Sequence, residues 1–324
     1  MGRMLFADMH SHFLLKGHYL GQSFTDTQEH QRVKSIGGIN LTLREAIAGN
    51  VGCMTFAAYT AFGRFSSMSA IMEQYDTVER NVAATCGQVV LAKTGAQVKE
   101  IVDSGKIAGI LALEGGYNFH KDPSILPDLA HRGVRLVTLA HFISTALADA
   151  STRIYRPNNG LSKAGIEVVK QMCALKIMPD VAHLSDKAIE QVTANAEGPV
   201  VSSHTGMSRI RKCARNLSDD MAKRIVATGG MIGIIWLPYN LSATPLGYDA
   251  SLEHWLDHCC HAASLVGAAN VGIGTDLGAP GWFAKGLRGY SDFPALAEGL
   301  ARRGFLAPEI AGIMGQNYVR TLGA

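Results

Sequence analysis

Short apolar runs, several of them rich in β-branched residues, alternate along the chain with longer stretches of helical period. The runs cover residues 3–10, 51–58, 107–114, 134–141, 176–183, 199–204, 231–237 and 270–276. Between them, segments such as 69–93 and 162–175 have apolar positions three and four residues apart, as amphipathic helices do. Strands alternating with helices predict a parallel sheet with right-handed crossovers. Eight strands close a (β/α)8 TIM-type barrel.

No segment of the sequence marks a domain boundary. The 324 residues contain no low-complexity linker and no Pro/Gly-rich stretch that would divide them. An α/β barrel can reach this length as one domain. We therefore expect residues 1–324 to form a single barrel domain.

Composition narrows the class of protein and its partners. Hydrophobic residues make up 47% of the chain and charged residues 18%, which is typical of a compact globular protein. A net charge of +3 without a basic block gives no reason to expect a nucleic-acid partner. The sequence shows no secretory signal and no apolar run of membrane-spanning length, so we expect a cytoplasmic protein without a membrane partner. For the oligomeric state, the alternatives are a monomer and a homodimer.

Chemically active residues lie at the ends of six of the eight runs. They are His10 with His12, Glu114, His141, His183, His204 and Asp276. In a (β/α)8 barrel the C-terminal ends of the strands open on one face, where active sites lie. A single polar strand end is common, but six together predict one shared pocket with a metal site at that face.

The first of these ends, "ADMHSH", has the spacing of metal ligands. Side chains two residues apart on a strand project to the same face, so Asp8, His10 and His12 share one side. Imidazole is the commonest protein ligand for zinc. An HxH pair alone is equally typical of surface histidines, and the other strand ends favour the metal site.

Seven segments occur in an order that resembles one enzyme family. They are "ADMHSH", "LALEGG", "VTLAHFISTALADAS", "PDVAHLSD", "PVVSSHTGMSRIRKCARNLSDD", "VGIGTD" and "IAGIMGQNYVR". The chain resembles, nearly from end to end, the membrane dipeptidase (renal dipeptidase, peptidase M19) family, a branch of the metal-dependent amidohydrolases. Each segment alone is weak evidence for the family, whereas the order and spacing of all seven together are specific to it.

The resemblance implies a dipeptidase that binds two zinc ions per chain. By position, His10, His12 and Asp276 would hold one ion, His183 and His204 the other, and Glu114 would bridge both. A hydroxide between the ions would attack the amide bond of a dipeptide or a similar small amide with a free carboxylate.

The same resemblance assigns the remaining site residues. Asp276 would pass a proton from the water to the leaving amine, Glu114 would act as the bridging catalytic ligand, and His141 would lie over the oxyanion. Arg215, with Asn216 beside it, would bind the substrate. The planar guanidinium of Arg215 suits a carboxylate.

Three departures from the family pattern surround the predicted pocket. His12 stands where the family usually has a carboxylate, Leu277-Gly278-Ala279 stands in place of Phe-Asp-Gly, and Ser144 stands where Asn is common. An alternative is therefore an amidohydrolase that acts on another small carboxylate-bearing substrate, such as an N-acyl amino acid. A metal-binding scaffold without catalysis is a third hypothesis, and the presence of Glu114 and Asp276 argues against it.

A second histidine cluster lies in "EHWLDHCCHAA". His254, His258 and His261 would share one face of a helix, but no glutamate lies between them as an HExxH metal site requires. We expect this segment to be an outer helix of the barrel.

Overall fold

A computed structural model describes residues 4–13, 21–26, 41–59, 67–116, 119, 122, 124–152, 157–279 and 283–323. Arg3, in the predicted run 3–10, lies outside the described residues. The strands of the described part are β1 (Phe6–Ser11), β2 (Val51–Tyr59), β3 (Val89–Leu91), β4 (Ile107–Glu114), β5 (Val134–Thr138), β6 (Met178–Asp180), β7 (Val201–Thr205), β8 (Met231–Ile234) and β9 (Val271–Ile273).

Helices follow most of these strands. They are α1 (Leu43–Ala48), α2 (Met68–Ala84), α3 (Gly95–Asp103), α4 (Ile125–Arg132), α5 (Lys163–Ala174), α6 (Asp186–Asn195), α7 (Asp219–Ala227), α8 (Pro238–Leu241), α9 (Leu252–Val266), α10 (Phe293–Arg302), α11 (Ala307–Ala311) and α12 (Asn317–Thr321). A π-helical turn, Gly312–Gln316, joins the last two. None of the described helices is long and apolar enough to cross a bilayer.

Eight parallel strands form a nearly closed barrel in the order β1-β2-β4-β5-β6-β7-β8-β9. The first and last strands meet beyond their ends, where Ser11 pairs with Leu277 and the backbone N–H of His12 donates to the carbonyl of Leu277 at 2.7 Å. The short strand β3 lies off this path and pairs with the first half of β4. The predicted (β/α)8 TIM-type barrel is confirmed.

Several element boundaries differ from the sequence prediction. Helix α2 ends at Ala84 instead of continuing through residue 93, because Cys86 and Gly87 take left-handed backbone conformations (φ 51° and 83°) that end a helix. The chain then enters β3. Strands β5, β6 and β9 also end early, which leaves three predicted site residues, His141, His183 and Asp276, in the turns that follow.

Helix starts are set by hydroxyl side chains. The residue before each of six helices accepts a hydrogen bond from a backbone N–H of the first turn, and these residues are Thr42, Ser67, Thr94, Ser162, Ser185 and Ser218. Each such cap stabilises a helix by about 1 kcal/mol. Strand β4 is buried along all of its eight residues, as expected for a barrel stave covered on both faces.

The histidines of α9 have packing roles. His258 is fully buried, where its Nδ1 accepts from the backbone N–H of Met207 at 2.8 Å and its Nε2 donates to the carbonyl of Leu241 at 3.2 Å. His261 pairs with Asp219 of α7 at 2.8 Å. These contacts hold α9 against the barrel, away from the strand-end cluster.

Candidate active site

Buried histidines and carboxylates meet at the C-terminal ends of the barrel strands. They come from β1, β4 and β7 and from the residues that follow β1, β6 and β9, and they are His10, His12, Glu114, His183, His204 and Asp276. None is more than 5% exposed. The fold therefore brings together all six side chains that the sequence predicts as metal ligands.

Glu114 lies at the centre of this cluster, with different imidazoles facing its two oxygens. Its Oε1 is 3.0 Å from Nε2 of His183 and 3.4 Å from Nε2 of His204. Its Oε2 is 3.3 Å from Nε2 of His12. One carboxylate thus stands between two groups of histidines.

The imidazole nitrogens face one another. Nε2 of His10 and Nε2 of His12 are 3.4 Å apart, and those of His183 and His204 are 2.9 Å apart. Asp276 adds Oδ1 at 3.0 Å from Nε2 of His12. Nitrogen and carboxylate donors at such short separations fit zinc or a similar divalent transition metal.

His141 borders the same cluster. Among the described residues, three overlapping sets of donor atoms lie within 4.8 Å of one another, and one set joins His141 to Glu114 and His183. Nε2 of His141 is 3.8 Å from Oε2 of Glu114. His141 is therefore close enough to the donors to act on a group bound there.

Two of the cluster residues hold strained backbone conformations. His183 and Asp276 have φ values of 71° and 58°, in the left-handed region that few residues other than glycine adopt. Each follows the end of a short strand, and backbone hydrogen bonds hold both residues in place. The N–H of Asp276 donates to the carbonyl of His10 at 3.0 Å, and the carbonyl of His183 accepts from the N–H of Ser151 at 2.6 Å. Such strain is concentrated at functional sites.

Three imidazoles are neutral at neutral pH. Burial lowers the pKa of His10 and His183 well below the ordinary value of 6.5 and lowers the pKa of His141 to about 4. The cationic Arg215 adds to this effect at His183. A neutral imidazole offers the lone pair that a metal ion needs.

His12 behaves in the opposite way. Burial by itself lowers the pKa of His12, but hydrogen bonds to Asp276 and Glu114 outweigh it and raise the pKa to about 10. Burial by itself raises the pKa of Asp276 and Glu114, but the surrounding imidazoles hold the pKa of both carboxyl groups below the ordinary range. In the metal-free chain His12 is therefore a cation between two carboxylates.

Asp8 supports the cluster without facing it. Its Oδ1 accepts from the backbone N–H groups of His10 at 3.1 Å and Thr275 at 2.9 Å, and its Oδ2 accepts from the hydroxyls of Thr275 at 2.6 Å and Tyr290 at 2.9 Å. These bonds tie β1 to the segment that carries Asp276. The shared strand face of Asp8, His10 and His12 indicated a common site, but Asp8 lies outside the donor sets.

A cavity of about 320 Å³ opens beside the cluster. His12, His183 and Asp276 form the side of the cavity toward the cluster, and His141 and Arg215 add further polar groups. The remaining described lining is largely apolar, and it consists of Tyr59, Phe142, Leu237, Tyr239, Asn240 and Ala279. A small molecule in this cavity would contact cations, carboxylates and apolar surface at once.

Arg215 is buried at the edge of this cavity. Its Nη2 donates to Nε2 of His183 at 3.1 Å and to the carbonyl of His204 at 3.3 Å. The sequence predicts Arg215 as a substrate-binding residue, and the structure places its guanidinium in the cavity beside the donor cluster.

Asn216 lies elsewhere. Its amide nitrogen donates to the carbonyls of Arg211 and Asn240, both at 2.8 Å, and its amide oxygen accepts from Gly206 at 3.1 Å and from Asn240 at 2.8 Å. All of its hydrogen-bonding capacity is thus used within the protein. Asn216 is not among the described residues that line the 320 Å³ cavity, and its predicted contact with the substrate stays a prediction.

Tyr59 is a site residue that the sequence analysis missed. It ends β2, its ring lines the cavity, and its hydroxyl is 3.2 Å from Nδ1 of His141. Its position in the sequence could have indicated this role, because Tyr59 directly follows the predicted run 51–58 and the ends of the other strands carry the site. Tyrosine is a rare metal ligand, so a tyrosine at a strand end does not by itself indicate a metal site.

A (β/α)8 barrel with buried imidazoles and carboxylates at the C-terminal ends of its strands defines the class of metal-dependent hydrolases. The match to one family extends over nearly the whole chain. The chain belongs to the membrane dipeptidase family, peptidase family M19, whose model matches residues 3–324.

Two relatives illustrate the sequence similarity. Dipeptidase verJ of Clonostachys rogersoniana is 30% identical over 259 residues, which cover 80% of this chain and 66% of that protein. Dipeptidase 3 of Rattus norvegicus is 27% identical over 279 residues, which cover 84% of this chain and 56% of that protein. The chain thus spans two thirds or less of the length of these relatives.

Two solved structures illustrate the shared fold. A metallo peptidase from Rhodobacter sphaeroides, solved with a phosphinate mimic of the dipeptide L-Ala-D-Ala, superposes with a TM-score of 0.86 at 20% identity over 99% of each chain. The probable dipeptidase PvdM from Pseudomonas aeruginosa superposes with a TM-score of 0.89 at 21% identity over 99% of this chain and 95% of that one.

Proposed function

We propose that the protein is a zinc-dependent dipeptidase that hydrolyses dipeptides, or similar small amides, with a free carboxylate. The observation that carries the proposal is the convergence of four imidazoles and two carboxylates on a cavity that also holds Arg215. Two divalent ions bound there would polarise the scissile carbonyl and lower the pKa of the attacking water.

The positions of the donor atoms support two ions. His10, His12 and Asp276 would hold one ion, and His183 and His204 the other. Glu114 would bridge them, because its Oε2 faces His12 while its Oε1 faces His183 and His204. Zinc accepts both imidazole and carboxylate ligands, as this donor set requires.

Asp276 is the group best placed to move a proton. Its carboxyl lines the cavity, and the low pKa of this group keeps it ionised at neutral pH. An ionised carboxylate can accept a proton from the attacking water and donate it to the leaving amine.

His141 would stabilise the oxyanion as a neutral hydrogen-bond donor. A Tyr59 hydroxyl that donates to Nδ1 leaves the imidazole proton on Nε2, the nitrogen on the side of Glu114. A neutral donor that is already oriented in a buried site stabilises developing negative charge more than solvent does.

Arg215 and the apolar lining define the substrate. The guanidinium would bind the free carboxylate through two parallel hydrogen bonds. Phe142, Leu237, Tyr239 and Ala279 leave apolar surface for the substrate side chains. We therefore propose that dipeptides with small, uncharged side chains are preferred over acidic ones.

Metal analysis and a substrate panel test this function. Protein purified without chelator should contain about two divalent ions per chain and should hydrolyse apolar dipeptides in a chelator-sensitive manner. The panel should include L-Ala-D-Ala, because the Rhodobacter metallo peptidase was solved with a mimic of it. Faster turnover of N-acyl amino acids would favour the alternative amidohydrolase function. An absence of ions, with no turnover of dipeptides or N-acyl amino acids after zinc is added, would exclude both functions.

A further inference from the structure

Two buried asparagines join the loop that carries Arg215 to one wall of the cavity. This loop, residues 206–217, follows β7. Helix α8 lies along the 320 Å³ cavity with Tyr239 and Asn240 in the lining, and we call this side of the cavity the α8 wall. Asn216 of the loop is 6% exposed and Asn240 is 1% exposed. Their side-chain amides meet at 2.8 Å, so the residue next to the arginine is connected to the α8 wall.

Hydrogen bonds fix the orientation of both amides. The Asn216 amide oxygen accepts from the backbone N–H of Gly206 at 3.1 Å. The Asn216 amide nitrogen donates to the carbonyls of Arg211 and Asn240, both at 2.8 Å. A backbone N–H can only donate and a carbonyl can only accept, so the Asn216 amide cannot be reversed. Asn240 must therefore turn its own amide nitrogen, the donor, toward the Asn216 oxygen.

The backbone around Arg215 is held at the same place. The Arg215 carbonyl accepts from the Thr205 hydroxyl at 3.1 Å, and the N–H of Asn216 donates to the carbonyl of Cys213 at 3.2 Å. Gly206 allows the Asn216 amide to approach, because a Cβ at Gly206 would lie 2.5 Å from the amide oxygen. A guanidinium stands at the end of a long, flexible side chain, so its position depends on how firmly this backbone is held.

Two further contacts join the same loop to α8. Nε of Arg211 donates to the backbone carbonyl that follows α8 at 2.6 Å. His258 accepts from the N–H of Met207 and donates to the carbonyl of Leu241. Both contacts act earlier in the loop, whereas the asparagine pair acts on the residue next to Arg215. Loss of the pair therefore leaves the loop attached to α8 but loosens the part that carries the guanidinium.

We propose that Asn240 is a positioning residue for carboxylate recognition, which acts through Asn216 to hold Arg215 at a fixed distance from the α8 wall. The proposal rests on the function proposed above, in which the guanidinium binds the free carboxylate of the substrate. A displacement of about 1 Å in a positioning group can cost on the order of 100-fold in catalytic rate. The two amides thus determine how well a substrate fits between the guanidinium and the α8 wall.

Asn240→Leu tests the pair with little change of volume and without adding a charge near Arg215. It removes the donor to the Asn216 oxygen, which keeps its bond from Gly206. In the zinc-loaded enzyme, kcat/KM for a free dipeptide should fall roughly 10- to 100-fold, mainly through a higher KM. The C-terminal amide of the same dipeptide should lose much less. Should Asn240→Leu not fold, Asn240→Ala carries the same test, because it leaves room for solvent.

The chain offers a matched control at the other end of the barrel. Asn317 is also buried, and its amide nitrogen donates to the carbonyls of Ala268 at 2.8 Å and of Val271, the first residue of β9, at 2.9 Å. Asn317→Ala should lower the stability of the fold and leave the ratio of the free-dipeptide and amide rates as in wild type. A ratio that changes equally in Asn317→Ala and Asn240→Leu would overturn the proposal.

The double variant Arg215→Ala/Asn240→Leu separates positioning from direct contact. If Asn240 acts through Arg215, its substitution should cost the free dipeptide nothing further once the guanidinium is gone. Asn240 itself lines the cavity, so a direct contact with the substrate would give the same loss with and without Arg215. That second result would overturn the proposal.

Crystal structures of the metal-free wild type and Asn240→Leu locate the guanidinium directly. Nη2 of Arg215 should lose its 3.1 Å contact with Nε2 of His183 in Asn240→Leu and keep it in Asn317→Ala. An unmoved guanidinium in Asn240→Leu would overturn the proposal whatever the rates. If wild type hydrolyses no dipeptide, the proposed function fails, while the structures still decide whether Asn240 positions Arg215.

Discussion

Nη2 of Arg215 donates a hydrogen bond to Nε2 of His183 across 3.1 Å. The acceptor is the lone pair that His183 would offer to a metal ion. In the metal-free chain the guanidinium N–H therefore takes the place of the metal ion at this nitrogen. Metal binding must break this contact and free that N–H. Loading the site would therefore also prepare the guanidinium for an incoming carboxylate.

This relationship predicts how Arg215→Ala depends on the substrate. Free dipeptides should lose roughly 30- to 1000-fold in kcat/KM, because a charge-assisted bidentate contact to the carboxylate is removed. C-terminal amides of the same dipeptides should lose much less, since they never made that contact. The two rates form a double-mutant cycle between side chain and substrate group. Equal losses on both substrates would make Arg215 a structural residue.

Glu114→Gln should abolish turnover while leaving the fold intact. The substitution removes the charge that faces His12 and His183 but changes little volume. Metal content should fall below one ion per chain, and the far-ultraviolet circular dichroism should match that of wild type. Asp276→Asn is the comparison, since it should lose turnover yet retain part of the metal. Near-normal activity of Glu114→Gln would show that the ligand assignment is wrong.

Much of this site could be predicted because its ligands are chemically distinctive and stand at strand ends. Period-two and helical patterns located the strands and helices, and polar residues at the run ends located His10, Glu114 and His204. The short strand β3 was missed because Val89–Leu91 continues the apolar positions of α2 without a break in period.

Supporting residues could not be predicted in the same way. An asparagine acquires its role only from partners that the fold supplies, and Asn240 meets Asn216 from 24 residues away. Asn216 shows how the contacts of two adjacent residues can differ. Its neighbour Arg215 lines the cavity, whereas the Asn216 side-chain amide forms hydrogen bonds with Gly206 and Asn240.

Tyr59→Phe tests the hydrogen bond to His141. Loss of the hydroxyl removes the partner of Nδ1 at 3.2 Å and leaves the proton of His141 free to occupy either nitrogen. One hydrogen bond contributes about 1 kcal/mol, so kcat should fall by roughly fivefold or more while KM changes little. Tyr239→Phe is the control, since Tyr239 lines the same cavity and, within the described part of the chain, makes no hydrogen bond to His141. An unchanged kcat in Tyr59→Phe would show that the Tyr59 hydroxyl does not support His141 in the reaction.

His12 makes metal binding depend on pH. Its pKa of about 10 in the metal-free chain means that His12 is protonated at neutral pH, whereas a metal ligand must be neutral. Zinc binding at this site should therefore release a proton from His12. The contribution of His12 to zinc affinity should rise by about tenfold per pH unit above pH 7 and level off near pH 10.

Replacement of His12 separates this proton from the ligand itself. His12→Asp supplies a carboxylate that is already ionised at neutral pH, so zinc should still bind while one fewer proton is released. His12→Ala should weaken binding much more, because it removes both the proton and the ligand. Calorimetric titration in two buffers of different ionisation enthalpy counts the released protons directly. If wild type and His12→Asp release equal numbers of protons, His12 is not the titrating group, and if His12→Ala binds zinc as well as wild type, it is not a ligand.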